Sequence, residues 1–339
     1  MKLAVYKDNL STGRGADRAV KNFAAGLAAR GHSVALFEKN ELPARLDESW
    51  DVFIATGSNE IVDLARAGYF SRAGRAPVAL QLHLAPGGFF KWRHPFRNRE
   101  IRRAFNLPDA VQLLCKSYEA EFSRLAPRPQ VVTIGNYTEI AAPPEPKGAA
   151  PSTTILYPAA ALTKVKNQKF LITAFAKLAA RFPEWRVRLL GRDDTRYAAE
   201  CKALVHRLGL GKRISFAGFV TDLPSEYSRA AFIAFPSALE GFPLAILEAA
   251  KFSLAAVAQH DLPGATDIIQ NNHTGLVTGA SAAAYADGLA RLMENEPLRR
   301  EMGERAHAHC DEAYSREAIL DRWERLLSEL SSTRRGSGR

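Results

Sequence analysis

Residues 231–250 read AFIAFPSALEGFPLAILEAA: an apolar run, a loop broken by Gly241 and Pro243, and a second apolar run. The first run, 231–235, is short and wholly apolar, as a strand buried on both faces of a parallel sheet must be. The second repeats its apolar positions at helical spacing. Pro243 suits the first turn of that helix, where its missing N–H would have no intrahelical partner. Glu240 then lies in the loop and Glu248 about one turn into the helix. The free N–H groups and positive dipole end of such a helix form an anion site suited to a diphosphate, with a carboxylate on either side to hold sugar hydroxyls. The plainer alternative is a solvated Glu240 and a Glu248 favoured only by the dipole.

The same rhythm extends in both directions. Toward the N-terminus, short apolar strands are expected at 2–6, 33–37, 51–55, 78–82, 111–115 and 131–134, with a helix over 16–30 stopped by Gly31. The segment 141–152, AAPPEPKGAAPS, is too rich in Pro, Ala and Gly for a core element and reads as an interdomain linker. Beyond it, strands at 154–157, 186–190, 214–217 and 231–235 alternate with helices at 168–181 and 198–208. The pattern from 281 to 330 is helical, ending in a helix over 316–330, and SSTRRGSGR at 331–339 has the composition of a disordered tail. The expected class is α/β: two Rossmann-like, doubly wound domains, 1–140 and 153–312.

Composition agrees. The 339 residues are 47% hydrophobic and 24% charged, which excludes disorder and fibrous classes. No run approaches the ~18 to 20 apolar residues of a membrane span, and the start, MKLAVYKDNL, lacks a signal-peptide core, so a cytoplasmic protein is expected. Cys115, Cys201 and Cys310 are odd in number and far apart, against a disulfide framework or a cysteine zinc site. The net charge of +10 is concentrated: 64–108 holds nine Lys or Arg against Glu100 alone. Such a stretch wants an anionic partner, whether nucleic acid, a membrane surface or a phosphorylated substrate.

The segment from Glu240 to Glu248 resembles the Glu-x7-Glu signature of family 4 of the retaining glycosyltransferases, the glycosyltransferases group 1 of GT-B fold. Other segments follow in the family's order: 13–34 resembles its glycine loop and helix, 133–139 its strand-to-linker motif, 155–175 its Lys-Asn loop, and 214–237 and 262–277 the stretches flanking the signature. The resemblance implies two domains facing a central cleft, with the last helix returning to the first. It implies that Glu248 binds the donor ribose and that Glu240, with backbone amides of Gly241 and Phe242 and the neighbouring Pro243 and Leu244, holds the donor sugar. Lys166, beside Asn167, would neutralise the diphosphate, Gly13 and Gly15 would let backbone approach it, and Phe219 and Val220 would pack the base. His83 matches a histidine near the donor sugar; a hydrogen-bonded structural histidine is the alternative. Where relatives often carry Gly-Arg, this chain has Ala160-Ala161, and Lys164 or Arg192 is left to supply the missing cation. The expected reaction is retaining transfer from a nucleoside diphosphate sugar, with UDP favoured, to a lipopolysaccharide, capsule or lipid-linked glycan acceptor. No metal or other cofactor is implied.

Two rival readings remain on the residues. A strand, Gly13-x-Gly15, a helix and Glu38 imitate a dinucleotide-binding oxidoreductase, but Arg18 takes the third glycine position and the first glycine comes seven positions after Tyr6. The basic stretch Lys91, Trp92, Arg93, Arg97, Arg99, Arg102 and Arg103 interleaves with aromatics as a nucleic-acid surface would, or as an interfacial segment meeting anionic lipid. Because the resemblance implies membrane-borne acceptors, the lipid reading is preferred and no nucleic-acid partner is expected. The chain is then expected on the inner face of the cell membrane, as a peripheral protein.

Overall fold

The structure, a computed structural model, describes every residue except 12–14, 84–94, 143–151, 261 and 337–339. It divides into two compact units, Met1–Tyr137 with Arg316–Arg339, and Thr138–Ser315.

In the first unit, β1 (Lys2–Tyr6), α1 (Gly15–Ala29), β2 (Ser33–Phe37), α2 (Leu42–Arg45), β3 (Val52–Ala55), α3 (Ser58–Arg66), β4 (Val78–Gln81), α4 (Pro95–Ala104), β5 (Ala110–Leu113), α5 (Glu119–Leu125) and β6 (Gln130–Thr133) follow one another. The strands form one parallel sheet in the order β2-β1-β3-β4-β5-β6. Every residue of β3, β4 and β5 is buried, which is why these four-residue strands are apolar rather than alternating, but for the buried Gln81 and Gln112.

The second unit runs β7 (Thr154–Tyr157), α6 (Gln168–Ala176), β8 (Arg186–Leu189), α7 (Arg196–Arg207), β9 (Ile214–Phe216), α8 (Leu223–Ser228), β10 (Phe232–Phe235), α9 (Leu244–Lys251), β11 (Ala256–Gln259), α10 (Ala265–Ile268), β12 (Gly275–Thr278), α11 (Ala282–Glu294) and α12 (Glu296–Tyr314). Its parallel sheet is ordered β12-β11-β10-β7-β8-β9. Strands β11 and β12 are absent from the sequence expectations. Their residues, AVAQ and GLVT, are too rich in alanine and glycine to declare a strand, and pairing with β10 and with each other holds them in the sheet.

The last helix, α13 (Arg316–Gly336), belongs to the first unit. Trp323 is buried against Phe23 of α1, ring centroids 4.6 Å apart, and Arg30 reaches Asp321 at 2.5 Å and Glu324 at 2.8 Å. The expectation of a disordered tail from 331 is corrected: the helix continues through Gly336, and the Ser332 and Thr333 hydroxyls both donate to the Glu329 carbonyl. Polar residues on the outer face of a helix already docked by its inner face need no core of their own.

Candidate active site

In an open parallel sheet the loops beyond the carboxyl ends of two neighbouring strands diverge where the strand order reverses, and a crevice opens between them. In the second unit that point lies between β7 and β10. The two loops there are laced together. The Ala238 N–H donates to the Val165 carbonyl at 2.8 Å, the buried Tyr157 hydroxyl donates to the Lys166 carbonyl at 2.6 Å, and Ser237 lies 2.9 Å from the same hydroxyl. Burial, with the negative charge of Glu240 nearby, pushes the Tyr157 hydroxyl far above its ordinary range, so it stays a donor. On this frame Lys166 Nζ meets Glu240 Oε1 at 2.6 Å, with the lysine side chain 28% and the glutamate 12% exposed. Lys166 and Glu240 thus face each other, a cation and a carboxylate reachable from solvent.

Asn167 caps α6 in the left-handed conformation (φ 57°), which turns the chain sharply from the lysine into the helix. Across the loop, Glu248 sits in the second turn of α9 behind the cap Pro243, buried, with the Tyr227 hydroxyl donating to its Oε2 at 2.8 Å. Phe242 is buried against Tyr314, centroids 5.8 Å apart, while Gly241 and Leu244 stay half-buried at the mouth of the loop. Phe219 follows Gly218 beyond β9 with 66% of its surface exposed, and Val220 beside it is half-buried.

Of the two candidates for the missing cation, Arg192 is the one that lies beside Ala161. Arg192 and Ala161 form a parallel bridge, closed by Arg192 N–H to the Ala160 carbonyl at 3.0 Å and Leu162 N–H to the Arg192 carbonyl at 2.9 Å. Paired residues in a parallel ladder point to the same side, so the Arg192 side chain leaves on the side of the Ala161 methyl. The approach depends on Gly191 (φ 118°), where a Cβ would come within 2.5 Å of the Ala159 carbonyl oxygen. Arg192 is exposed and, among the described residues, its guanidinium has no acidic partner. Lys164 lies instead on the side of Glu200, whose pKa it helps to lower.

In the first unit the corresponding point lies between β1 and β3. Lys7 Nζ meets Glu60 Oε1 at 2.5 Å and Asp8 Oδ1 at 2.7 Å; the Asp8 N–H donates to Glu60 at 3.1 Å and Asn59 Nδ2 to Asp8 at 3.0 Å. Burial raises the Glu60 pKa, whereas hydrogen bonds from Lys7 and Asn59 outweigh the burial of Asp8 and pull it down to about 2. His83, beyond β4, has a buried Nε2 with no hydrogen-bond partner among the described residues. Burial first, then the charge of Lys7, bring its pKa down to about 4 against the opposing pull of Asp17, so the ring is neutral at pH 7. Sequence reasoning missed this cluster, although Lys7-Asp8 directly follows β1 and Ser58-Asn59-Glu60 opens the helix two residues after β3, and both could have been found on that ground. It also missed Tyr227.

Gly15 is the first residue of α1; Gly13, Lys91, Trp92 and Arg93 lie outside the described residues. Arg97, Arg99, Arg102 and Arg103 are all on α4. Among the described residues no group of three or more His, Cys, Asp or Glu is placed to hold a metal ion, no helix is long and apolar enough to cross a membrane, and the three cysteines are buried thiols.

Two sheets of this order, each with its crevice at a strand reversal, define a protein of two Rossmann-like domains, the GT-B architecture. An Anabaena protein, HepE, solved in complex with UDP, superposes on it with a TM-score of 0.82 at 18% identity, covering 97% of this chain and 100% of that one, a likeness of fold. Residues 144–309 match the family Glycosyl transferases group 1. An exopolysaccharide phosphotransferase of Streptomyces coelicolor is 32% identical over 191 residues, 56% of this chain and 20% of that protein. A Campylobacter jejuni α-1,4-N-acetyl-D-galactosaminyltransferase, whose name gives an undecaprenol-diphosphate-linked acceptor, is 26% identical over 169 residues, 49% of this chain and 46% of that protein. The likeness of these residues is thus to the group 1 glycosyltransferases, which are transferase enzymes. The chain spans half or less of the length of these two curated relatives.

Proposed function

We infer that the protein is a retaining glycosyltransferase of family 4 that moves a sugar from UDP-sugar to a lipopolysaccharide, capsule or lipid-linked glycan. The observation that carries this reading is the Lys166–Glu240 pair, 2.6 Å apart on two laced loops at the reversal point. A diphosphate entering the crevice draws the ammonium, and Glu240, released from it, accepts hydrogen bonds from donor sugar hydroxyls. Glu248, held by Tyr227, receives the ribose hydroxyls, and Phe219 with Val220 offers a face to the base. Arg192 adds the cation that Ala161 lacks.

In the reaction the bond from the anomeric carbon to the β-phosphate oxygen breaks and its electron pair leaves with UDP. The acceptor hydroxyl oxygen bonds to the same face, and its proton passes to the departing phosphate. Stabilising the leaving diphosphate by fixed charges is the main catalytic demand, and Lys166 and Arg192 supply it. The reading needs no metal, no other cofactor and no nucleic acid. The Campylobacter relative's acceptor supports a lipid-linked glycan, and so a peripheral place on the cytoplasmic face of the membrane.

The test is thermal unfolding with UDP, GDP, ADP and NAD, followed by transfer assays with UDP-sugars. A ligand at about 100 times its Kd adds ~2.7 kcal/mol. Selective stabilisation by UDP is expected. Stabilisation by NAD alone would return the chain to the oxidoreductases, and no response to any nucleotide would end the transferase reading.

A further inference from the structure

Helix α4 turns two kinds of arginine in two directions. Arg97 faces inward: its Nη1 lies 2.7 Å from Glu100 Oε2 and its Nη2 donates to Asn59 Oδ1 at 3.0 Å. Glu100 is also gripped by Arg66, at 2.5 and 3.0 Å. Through Asn59 the contacts continue to Asp8, Lys7 and Glu60, so the helix is braced from behind by the polar cluster at the end of β1.

Arg99 and Arg103, one turn apart, face outward. Both are exposed, and among the described residues neither has an acidic partner. With Phe96, 78% exposed, they border a hollow of about 290 Å3 whose lining also includes Ala65, Ala104, Leu107 and Glu100, the last with its charge taken up by Arg66 and Arg97. Positions 96, 99 and 103 succeed each other at three- and four-residue spacing, a single stripe of α4, and Leu107 lies just beyond the helix end. An apolar hollow with an exposed phenyl ring and two uncompensated guanidinium groups on its rim has the chemistry of an interfacial surface: the ring enters the headgroup layer while the cations meet lipid phosphates. A single-stranded nucleic acid would need successive stacking platforms along a basic track, and among the described residues Phe96 is the one strongly exposed ring on this helix.

We propose that the hollow between α3 and α4 docks the protein on an anionic phospholipid bilayer through Phe96, Arg99 and Arg103. Arg97, which the sequence groups with them, is a brace that holds α4 in place. The use of such docking rests on the membrane-borne acceptor proposed above; the docking itself is independent of transfer and is measured without it.

The experiment is sedimentation of the full chain with phosphatidylcholine vesicles, with and without phosphatidylglycerol, across a salt series. The wild type is expected to pellet with the anionic vesicles and to be released by salt. The double substitution Arg99→Gln with Arg103→Gln should cut partitioning twenty- to thirtyfold, about fivefold per lost cation. Phe96→Ser should weaken the binding that survives at high salt, and Lys21→Gln on α1 should change neither. UDP-induced thermal stabilisation of the same proteins reports the donor site separately. Wild-type protein left in the supernatant at low salt would overturn the proposal whatever UDP does, as would undiminished pelleting of the double variant. Salt-sensitive binding of a single-stranded oligonucleotide, lost in the double variant while vesicles fail to bind, would assign the patch to nucleic acid instead.

Discussion

At the carboxyl edge of the second sheet one cation faces one carboxylate, Lys166 with Glu240, whereas at the corresponding edge of the first sheet one cation, Lys7, faces two, Asp8 and Glu60. Topologically the two places are the same, a reversal of strand order beside the first strand of each unit. The first-sheet cluster answers its one ammonium twice: Glu60 is 2% and Asp8 27% exposed, with Lys7 14% exposed between them. In the second-sheet pair the lysine is 28% and the glutamate 12% exposed, and Arg192, bridged to Ala161, has no acidic partner among the described residues. One fold therefore yields one edge whose cation is outnumbered by carboxylates and another where cation and carboxylate balance. On the proposed reading the second is the receptive edge, and the charge balance of a few side chains, not the backbone, selects it for a diphosphate.

The widest gap between the two edges should appear on deleting their glutamates. Glu60→Ala leaves the half-buried Lys7 with one carboxylate and the Asp8 N–H without its acceptor, and should destabilise the fold by about 3 kcal/mol in urea unfolding. Glu240→Ala, at the more open edge, should cost under about 1 kcal/mol of stability. Equal losses would erase the distinction. Lys166→Ala should act on the reaction instead, lowering kcat/KM by about 2 to 4 kcal/mol, thirtyfold to nearly a thousandfold, with an unchanged melting curve. A fall below threefold would mean that the receptive edge keeps its charge elsewhere. Arg192 is the first place to look, and Arg192→Gln should cost about tenfold by itself.

The acid limb of stability sharpens the contrast further. His83 titrates lower in the folded chain, about 4, than in the unfolded one, about 6.5. The unfolded state thus takes up the proton first, so nothing is lost at pH 7 and stability falls as the pH drops from about 6.5 toward 4. Asp8, held down at about 2, loses its contribution later, between about pH 4 and 2. His83→Gln should flatten the upper window by about 3 kcal/mol and leave the lower one. A profile unchanged above pH 4 would show that the ring is not desolvated.

What the sequence discloses depends on how far a contact reaches along the chain. The loop with Glu240, Pro243 and Glu248 was legible because strand, breaker and helix start are consecutive residues. The pairing of Lys166 with Glu240 was not, since 74 positions separate them and only the β7–β10 ladder brings their loops together. Arg192 and Lys164 could not be told apart as candidates, and the bridge of Arg192 to Ala161, which sets the side on which it emerges, is a pairing that no motif announces. The four arginines of α4 look alike as letters, yet Asn59 and Glu100 turn Arg97 inward. Such distinctions belong to side-chain surroundings, to which residue type and spacing are blind.

Tyr227 gives the smallest effect and the finest test of the receptive edge. Its ring is buried and stacked on Phe252, centroids 5.2 Å apart, so Tyr227→Phe keeps the packing and removes only the hydroxyl that donates to Glu248. A hydrogen bond to a carboxylate contributes about 1.5 to 3 kcal/mol when both partners stay in place, but Glu248 can turn to water or to a ribose hydroxyl. The expected loss of stability is therefore about 1 kcal/mol. If Glu248 serves the ribose, its freed oxygen should also be worse aimed, and UDP affinity should fall about threefold while that of free uracil holds. Glu248→Gln should weaken UDP further, because it removes the acceptor rather than its support. Should both variants bind UDP as the wild type does, Tyr227 and Glu248 would form a structural pair within the fold, and the ribose would lie elsewhere along the loop from 236 to 243.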